Sequence, residues 1–198
     1  MTDRRDQVDA GRGEEETEPL PRVLGSQMVY AGRVVSLRVD EIALPQGGTA
    51  LREVVYHPGA VVVAAIDADG HVYLVRQYRH PVRRYLLELP AGGLEPGEEP
   101  LAAAMRELRE EVGLEAREWT ALGSFFSSPG FANERLHAFL ARGLVRVPPD
   151  PDDDEDISVV RYDLTGLLDR LEAVSDAKTL ATLLLVSKAV AGGLENAT

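Results

Sequence analysis

The chain has 198 residues, 44% of them hydrophobic and 27% charged, with a formal net charge of -12 and no cysteine. That length supplies one full core and at most a small accessory unit. The acidic balance argues against a nucleic-acid polymer as partner. No apolar run approaches the roughly 20 residues a membrane helix needs, so no membrane association is expected. Without cysteine, disulfides, thiolate nucleophiles and Cys-based zinc sites are excluded. The N-terminal residues lack the apolar stretch of a secretory signal, and a cytoplasmic location is the expectation.

Residues 1–20 are polar and acidic and bury too little apolar surface to offset ordering entropy, so they read as a disordered tail. Residues 21–57 hold short β-prone runs broken at Ala31-Gly32 and at the turn Pro45-Gln46-Gly47-Gly48. They read as a small antiparallel unit of about three strands. The remainder, 58–198, reads as one larger domain. It opens on a continuous apolar run, 59–66, suited to a strand covered on both faces. Asp67-Ala68-Asp69-Gly70 is a hairpin turn, with HVYLVRQYR as the paired strand. LLELPAG, ALGSFFSSPG, ERLHAFLARG and VVRYDL supply further strands. Helical patterns cover about 99–112 and 177–191, with a shorter one near 164–173. Strands on both sides of a central helix imply an α/β (α+β) fold, a mixed sheet in an α/β/α sandwich.

The informative stretch runs from Gly92 to Leu114, GGLEPGEEPLAAAMRELREEVGL. A glycine-rich loop leads into a helix with Pro100 in its first turn and Gly113 at its end. Leu101, Met105, Leu108 and Val112 recur at helical spacing and predict the core stripe. Glu107, Glu110 and Glu111 fall on another face. Carboxylates at these spacings repel by a few tenths of a kcal/mol per pair. One reading is a solvated acidic face balanced by Arg106 and Arg109. The other is a site for a hard, oxygen-seeking cation, Mg²⁺ or Mn²⁺.

The segment resembles the Nudix box, G-x5-E-x7-R-E-U-x-E-E-x-G-U with U apolar, at every defined position: Gly92, Glu98, Arg106, Glu107, Leu108, Glu110, Glu111, Gly113 and Leu114. From about Gly25 to Gly192 the chain is similar to bacterial ADP-ribose pyrophosphatases of that family. The resemblance implies the Nudix fold preceded by a small β-unit that mediates dimerisation, and Mg²⁺-dependent hydrolysis of ADP-ribose to AMP and ribose 5-phosphate. It assigns Glu107, Glu111 and the backbone carbonyl of Ala91 to the metal, and it makes Glu110 a contributor to catalysis. Arg106 and Glu98 become an ion pair that fixes loop against helix. A general base is expected from the acidic run 150–156, with Glu155 the choice and Asp153 and Asp154 the alternatives. Arg79 matches a phosphate-contacting position, Arg52 and Glu53 a pair that reaches the adenine from a partner subunit, and Glu134 a position near the terminal ribose. For each of these the plainer alternative is a surface charge or a cross-strand pair.

His57, His71, His80 and His137 lack metal-ligand spacing and read as structural or exposed, and Trp119 as core. Asp176 reads as the cap of the last helix, with no chemistry assigned. The partners expected are therefore a small nucleotide substrate and a second copy of the chain. Other substrates of the same family stay open (GDP-mannose, ADP-glucose, NADH), as does a non-catalytic ADP-ribose sensor, which the intact box disfavours.

Overall fold

The computed structural model describes residues 20–148 and 156–191. The acidic N-terminal segment up to residue 19 and the candidate base Glu155, with Asp153 and Asp154, lie outside the described residues.

Three antiparallel strands come first: β1 (Val23–Ala31), β2 (Ser36–Ala43) and β3 (Thr49–Tyr56), in the order β1-β2-β3. Next come β4 (Ala60–Ala65), β5 (His71–Arg79), β6 (Arg84–Glu88), β7 (Ala91–Gly93), helix α1 (Pro100–Val112), β8 (Leu114–Phe126), β9 (Arg135–Arg146), β10 (Ile157–Asp163), the short helix α2 (Leu164–Leu168) and helix α3 (Ala177–Ala191). They form a four-stranded mixed sheet, β7-β4-β9-β8, in which β4 runs parallel to β9, and a three-stranded sheet, β10-β5-β6. No helix among the described residues is long and apolar enough to cross a membrane.

The apolar run at β4 is the centre of the fold. All six of its residues are buried. Side chains alternate between the faces of a strand. Val61, Val63 and Ala65 therefore pack with Ala103, Ala104 and Leu108 of α1, while Val62, Ala64 and Ile66 pack with Leu183 and Val186 of α3. Burying each valine contributes roughly 1.5–3 kcal/mol, which is why a strand covered on both faces tolerates no polar residue here.

Two local expectations are corrected. The turn at Asp67–Gly70 forms, with Gly70 N donating to Asp67 O at 3.2 Å, but β5 does not become the hairpin partner of β4. Only Ile66 and Val72 bridge the two. The edge of β4 is already taken by the segment after β6: Val63 N donates to Pro90 O at 2.9 Å, and β7 pairs along Ala60–Val62. The chain therefore swings β5 into the second sheet. The core stripe of α1 is also rotated from the expected one. Leu101 and Met105 are 41% and 45% exposed. The buried positions are Ala103, Ala104, Glu107, Leu108 and Glu111. Two alanines let the helix lie close to β4, and that approach turns two glutamates inward.

Helix α3 is anchored by its cap. Asp176 accepts from Thr179 N at 3.0 Å and from Thr179 Oγ1 at 2.6 Å, while Thr179 Oγ1 accepts from the buried Leu89 N at 2.8 Å. One hydroxyl thus ties the cap of α3 to the link between β6 and β7. Thr179→Val, which keeps the shape and leaves that amide unpaired, should destabilise the protein by about 1–3 kcal/mol. Urea denaturation measures it, and a loss well under 0.5 kcal/mol would show that the amide finds another partner.

Candidate active site

The last turns of α1 and the short strand β7 meet at one point. Glu107 and Glu111 are only 9% and 6% exposed. Glu111 accepts from Ala91 N at 3.0 Å. Glu107 lies against Gly92 so closely that a Cβ there would sit 2.1 Å from its carboxyl carbon. Glycine is required at 92 because the space a side chain would fill holds a carboxylate.

Glu110 and Glu98 are held by one guanidinium. Arg106 Nε and Nη2 grip Glu98 at 3.0 Å each, and Nη1 donates to Glu107 at 2.6 Å and to Glu110 at 2.9 Å. Nη2 also reaches Gly93 O at 3.1 Å. The ion pair expected between Arg106 and Glu98 is present, and it is wider than expected, joining three glutamates and the loop backbone. The Arg106 guanidinium holds Glu98 below the ordinary glutamate range, and Glu98 in turn holds Arg106 firmly protonated. Glu110 points away from the cleft described next and lines a separate groove with Met105, Arg109 and Trp119.

A cleft of about 710 Å³ opens beside Ala91, Gly92 and Gly93. That volume suits a small organic ligand. Its walls bring Arg79 from the end of β5, Glu134 and Leu136 from the start of β9, Phe126, Ser128 and Phe131 from the β8–β9 connection, and Asp176 and Lys178 from α3. Among the expected residues, Ala91, Arg79 and Glu134 line this cleft, with Glu107 and Glu111 behind its floor. Arg52 and Glu53 lie on β3, outside the lining of the cleft, and Arg52 Nη1 donates to its neighbour Leu51 O at 2.9 Å. Ser128 begins a turn, accepting from Phe131 N at 3.1 Å and Ala132 N at 2.9 Å.

Three residues were missed. His57, read as structural, lines the cleft; its Nδ1 accepts from Gly59 N at 3.1 Å and lies 3.6 Å from Glu134 Oε1. Glu88 and Lys178 are the others. Glu88 is 1% exposed. Its Oε1 accepts from Arg79 Nε at 2.9 Å and its Oε2 from Arg79 Nη2 at 2.8 Å, and Lys178 Nζ binds Oε2 as well. Lys178 also donates to Asp176 at 3.1 Å. A single buried carboxylate thus holds two cations that face the cleft. Burial works against its ionisation, but the two cations outweigh that and hold it below its ordinary value. The available clue was the isolated acid in LLELPAG, an otherwise apolar strand; nothing in its spacing pointed to Lys178, 90 residues on.

The donor set at the α1–β7 junction is all oxygen, two buried carboxylates beside a backbone with no side chain in the way. It fits a hard divalent cation. Among the described residues no three His, Asp or Glu side chains form a ready cage, so the fit relies on two carboxylates with backbone.

The NUDIX domain model matches residues 55–183. The chain is 41% identical over 162 residues to ADP-ribose pyrophosphatase of Bacillus subtilis, covering 80% of this chain and 88% of that one. It is 40% identical over 163 residues to the methanol dehydrogenase activator of Bacillus methanolicus, with the same coverage of each. Among solved structures, an ADP compounds hydrolase superposes with a TM-score of 0.78 at 28% identity, covering 87% of this chain and 95% of that one. The chain belongs to the NUDIX domain family, and the buried glutamates of α1 lie within the matched region.

Glu88→Gln leaves Arg79 and Lys178 without their shared charge and should cost roughly 3 kcal/mol near neutral pH. The folded-state value of Glu88 is depressed, so its contribution is present above the ordinary 4.5 and is lost as pH falls through that value and then through the lower folded one. Denaturation at stepped pH should show the gap between the two proteins closing only below 4.5. A gap that stays flat down to acid unfolding would show that the charge of Glu88 is not what stabilises.

Proposed function

We propose that the protein hydrolyses the pyrophosphate bond of ADP-ribose, giving AMP and ribose 5-phosphate. The observation that carries this reading is the pairing of buried Glu107 and Glu111 behind a cleft whose wall presents Arg79 and Lys178. The substrate class comes from the ADP-ribose pyrophosphatase relative and the ADP compounds hydrolase structure.

Glu107, Glu111 and the Ala91 carbonyl would hold the divalent ion, Mg²⁺ by preference with Mn²⁺ able to replace it. When bound, that ion neutralises charge on the diphosphate and acidifies a water. The protein's own residues do the rest. Arg79, pre-aligned by its bidentate contact with Glu88, presents the outer edge of its guanidinium to the diphosphate, and Lys178 adds a second positive charge. Phe126 and Phe131 supply apolar wall for the base or sugar, and Glu134 accepts from a ribose hydroxyl. Glu110, which faces away from the cleft, acts through Arg106, whose Nη1 it shares with Glu107. The base remains assigned to Glu155, just before Asp156, which accepts from Tyr85 OH at 2.8 Å. The next residue, Ile157, pairs with Gln77, two positions before Arg79. Asp156 and Ile157, which follow the acidic run in sequence, therefore lie near the end of β5 that carries Arg79.

Glu111→Gln retains an acceptor for Ala91 N but removes the charge. It should lower kcat by at least about 10³-fold, on the scale of losing one charge-stabilising group, with an unchanged melting temperature. Product analysis should give AMP and ribose 5-phosphate, with GDP-mannose, ADP-glucose and NADH turned over more slowly. Undiminished turnover by the variant at saturating Mg²⁺ removes the metal assignment, and a faster reaction on another nucleotide removes the substrate.

The active form is a homodimer built through β1. Every residue of β1 is exposed, among them Val23, Leu24, Met28, Val29 and Tyr30. Exposed apolar side chains in that number on one edge strand suit an interface. Through it Arg52 and Glu53 would reach the adenine in the other copy. Leu24→Asp with Val29→Asp should convert the protein to monomer in sedimentation and raise KM. A monomeric native protein with full activity would overturn the assembly.

A further inference from the structure

A second large cleft, about 870 Å³, lies at the opposite end of the molecule from the first. Ala60 lines the first cleft and Ile66 the second. These positions, six residues apart on an extended chain, are separated by about 20 Å. No residue lines both.

Two arginines line this second cleft, Arg117 of β8 and Arg142 of β9. Their placement follows from a fault in side-chain alternation. Leu114, Ala116 and Trp119 all face α1, as do Phe139, Ala141 and Leu144. The alternation therefore slips between Ala116 and Trp119 and between Ala141 and Leu144. At the slip Gly143 has φ +63°, and a Cβ there would lie 3.1 Å from Arg117 Cβ. Both arginines line the same cleft.

Asp67 is the one acid among the described residues that lines the cleft with them. Arg142 Nε is buried and has no hydrogen-bond partner. Among the described residues, neither arginine makes an ion pair. The nearest acid of the cleft, Asp67, is already committed: its Oδ2 accepts from Arg161 Nε at 2.6 Å, and its Oδ1 from the amides of Asp69 and His71 at 3.0 Å each. A buried, unpaired guanidinium N–H is costly, and in a chain of net charge -12 an unanswered arginine pair is conspicuous. Thr165 adds a hydroxyl at the same place, while Leu164 and Leu168 form an apolar wall.

We propose that this cleft is a second ligand site, taking a phosphorylated small molecule with its phosphate on Arg142 and Arg117 and its carbon skeleton on the leucines. A guanidinium fork suits a phosphate, and the leucine wall distinguishes a phosphate ester from free phosphate. The site is remote from the candidate active site and independent of the activity proposed there.

The test is a titration of the metal-free protein with inorganic phosphate and, separately, with phenyl phosphate, followed by amide NMR against chloride at matched ionic strength. Saturable shifts are expected at Gly143, Leu144 and Thr165, with phenyl phosphate binding several-fold tighter. Arg142→Gln should weaken binding at least tenfold, and Arg117→Gln, an exposed change that leaves the fold intact, several-fold. The shifts near Lys178 in the first cleft should be unaffected by either variant. Shifts confined to the Lys178 region would overturn the proposal. So would an affinity at Gly143 and Thr165 that Arg117→Gln leaves unchanged, and this variant decides the matter even if Arg142→Gln fails to fold.

Discussion

The packing of α1 against β4 and β7 places two carboxylates where an ordinary helix would bury apolar side chains, and everything proposed for the site depends on that placement being tolerable. Three glutamates within one turn repel one another, and burial adds a desolvation cost for Glu107 and Glu111. Arg106 offsets part of this for Glu107 and Glu110. It contacts Glu98, Glu107, Glu110 and the Gly93 carbonyl at once, so a single guanidinium offsets part of the cluster's charge and also holds the loop to the helix. The Ala91 amide gives Glu111 one further donor. Gly92 and the alanines Ala103 and Ala104 are the steric side of the same arrangement: any larger residue at these positions would push the helix off the strand and the carboxylates out of place.

How much of this was legible follows from which interactions are local. The β4 core strand, the helices α1 and α3, and the Asp176 cap were readable because periodicity and capping act over a few residues. The Arg106–Glu98 pair was readable through the family motif. The direction of α1 was misread because the apolar stripe of Leu101 and Met105 looks like a core face, and only the approach of the helix to β4 turns alanines and glutamates inward instead. The separation of β4 from β5 was hidden because it depends on Pro90–Gly93 taking the β4 edge, a contact between segments some 30 residues apart. Glu88 and Lys178 were hidden for the same reason, with 90 positions between them.

The distribution of charge shows how so acidic a chain could address the diphosphate of the proposed substrate. Its overall field opposes an anion, so recognition must come from charges fixed at short range, where they are not averaged with the rest of the surface. Glu88 makes this possible. Buried, it holds Arg79 and Lys178 in place and cancels part of their charge, which lowers the cost of keeping two cations side by side. What remains directed into the cleft is the outer edge of Arg79 and the flank of Lys178. On the opposite side of the floor Glu107 and Glu111 would, in the proposed reading, provide negative charge for a cation. A diphosphate bridging the two sides would meet positive charge on both, from side chains on one and from the bound ion on the other. On the proposed function, burial of the carboxylates has a reason: exposed glutamates at the rim would repel the substrate, whereas glutamates behind Gly92 would present themselves only to the ion.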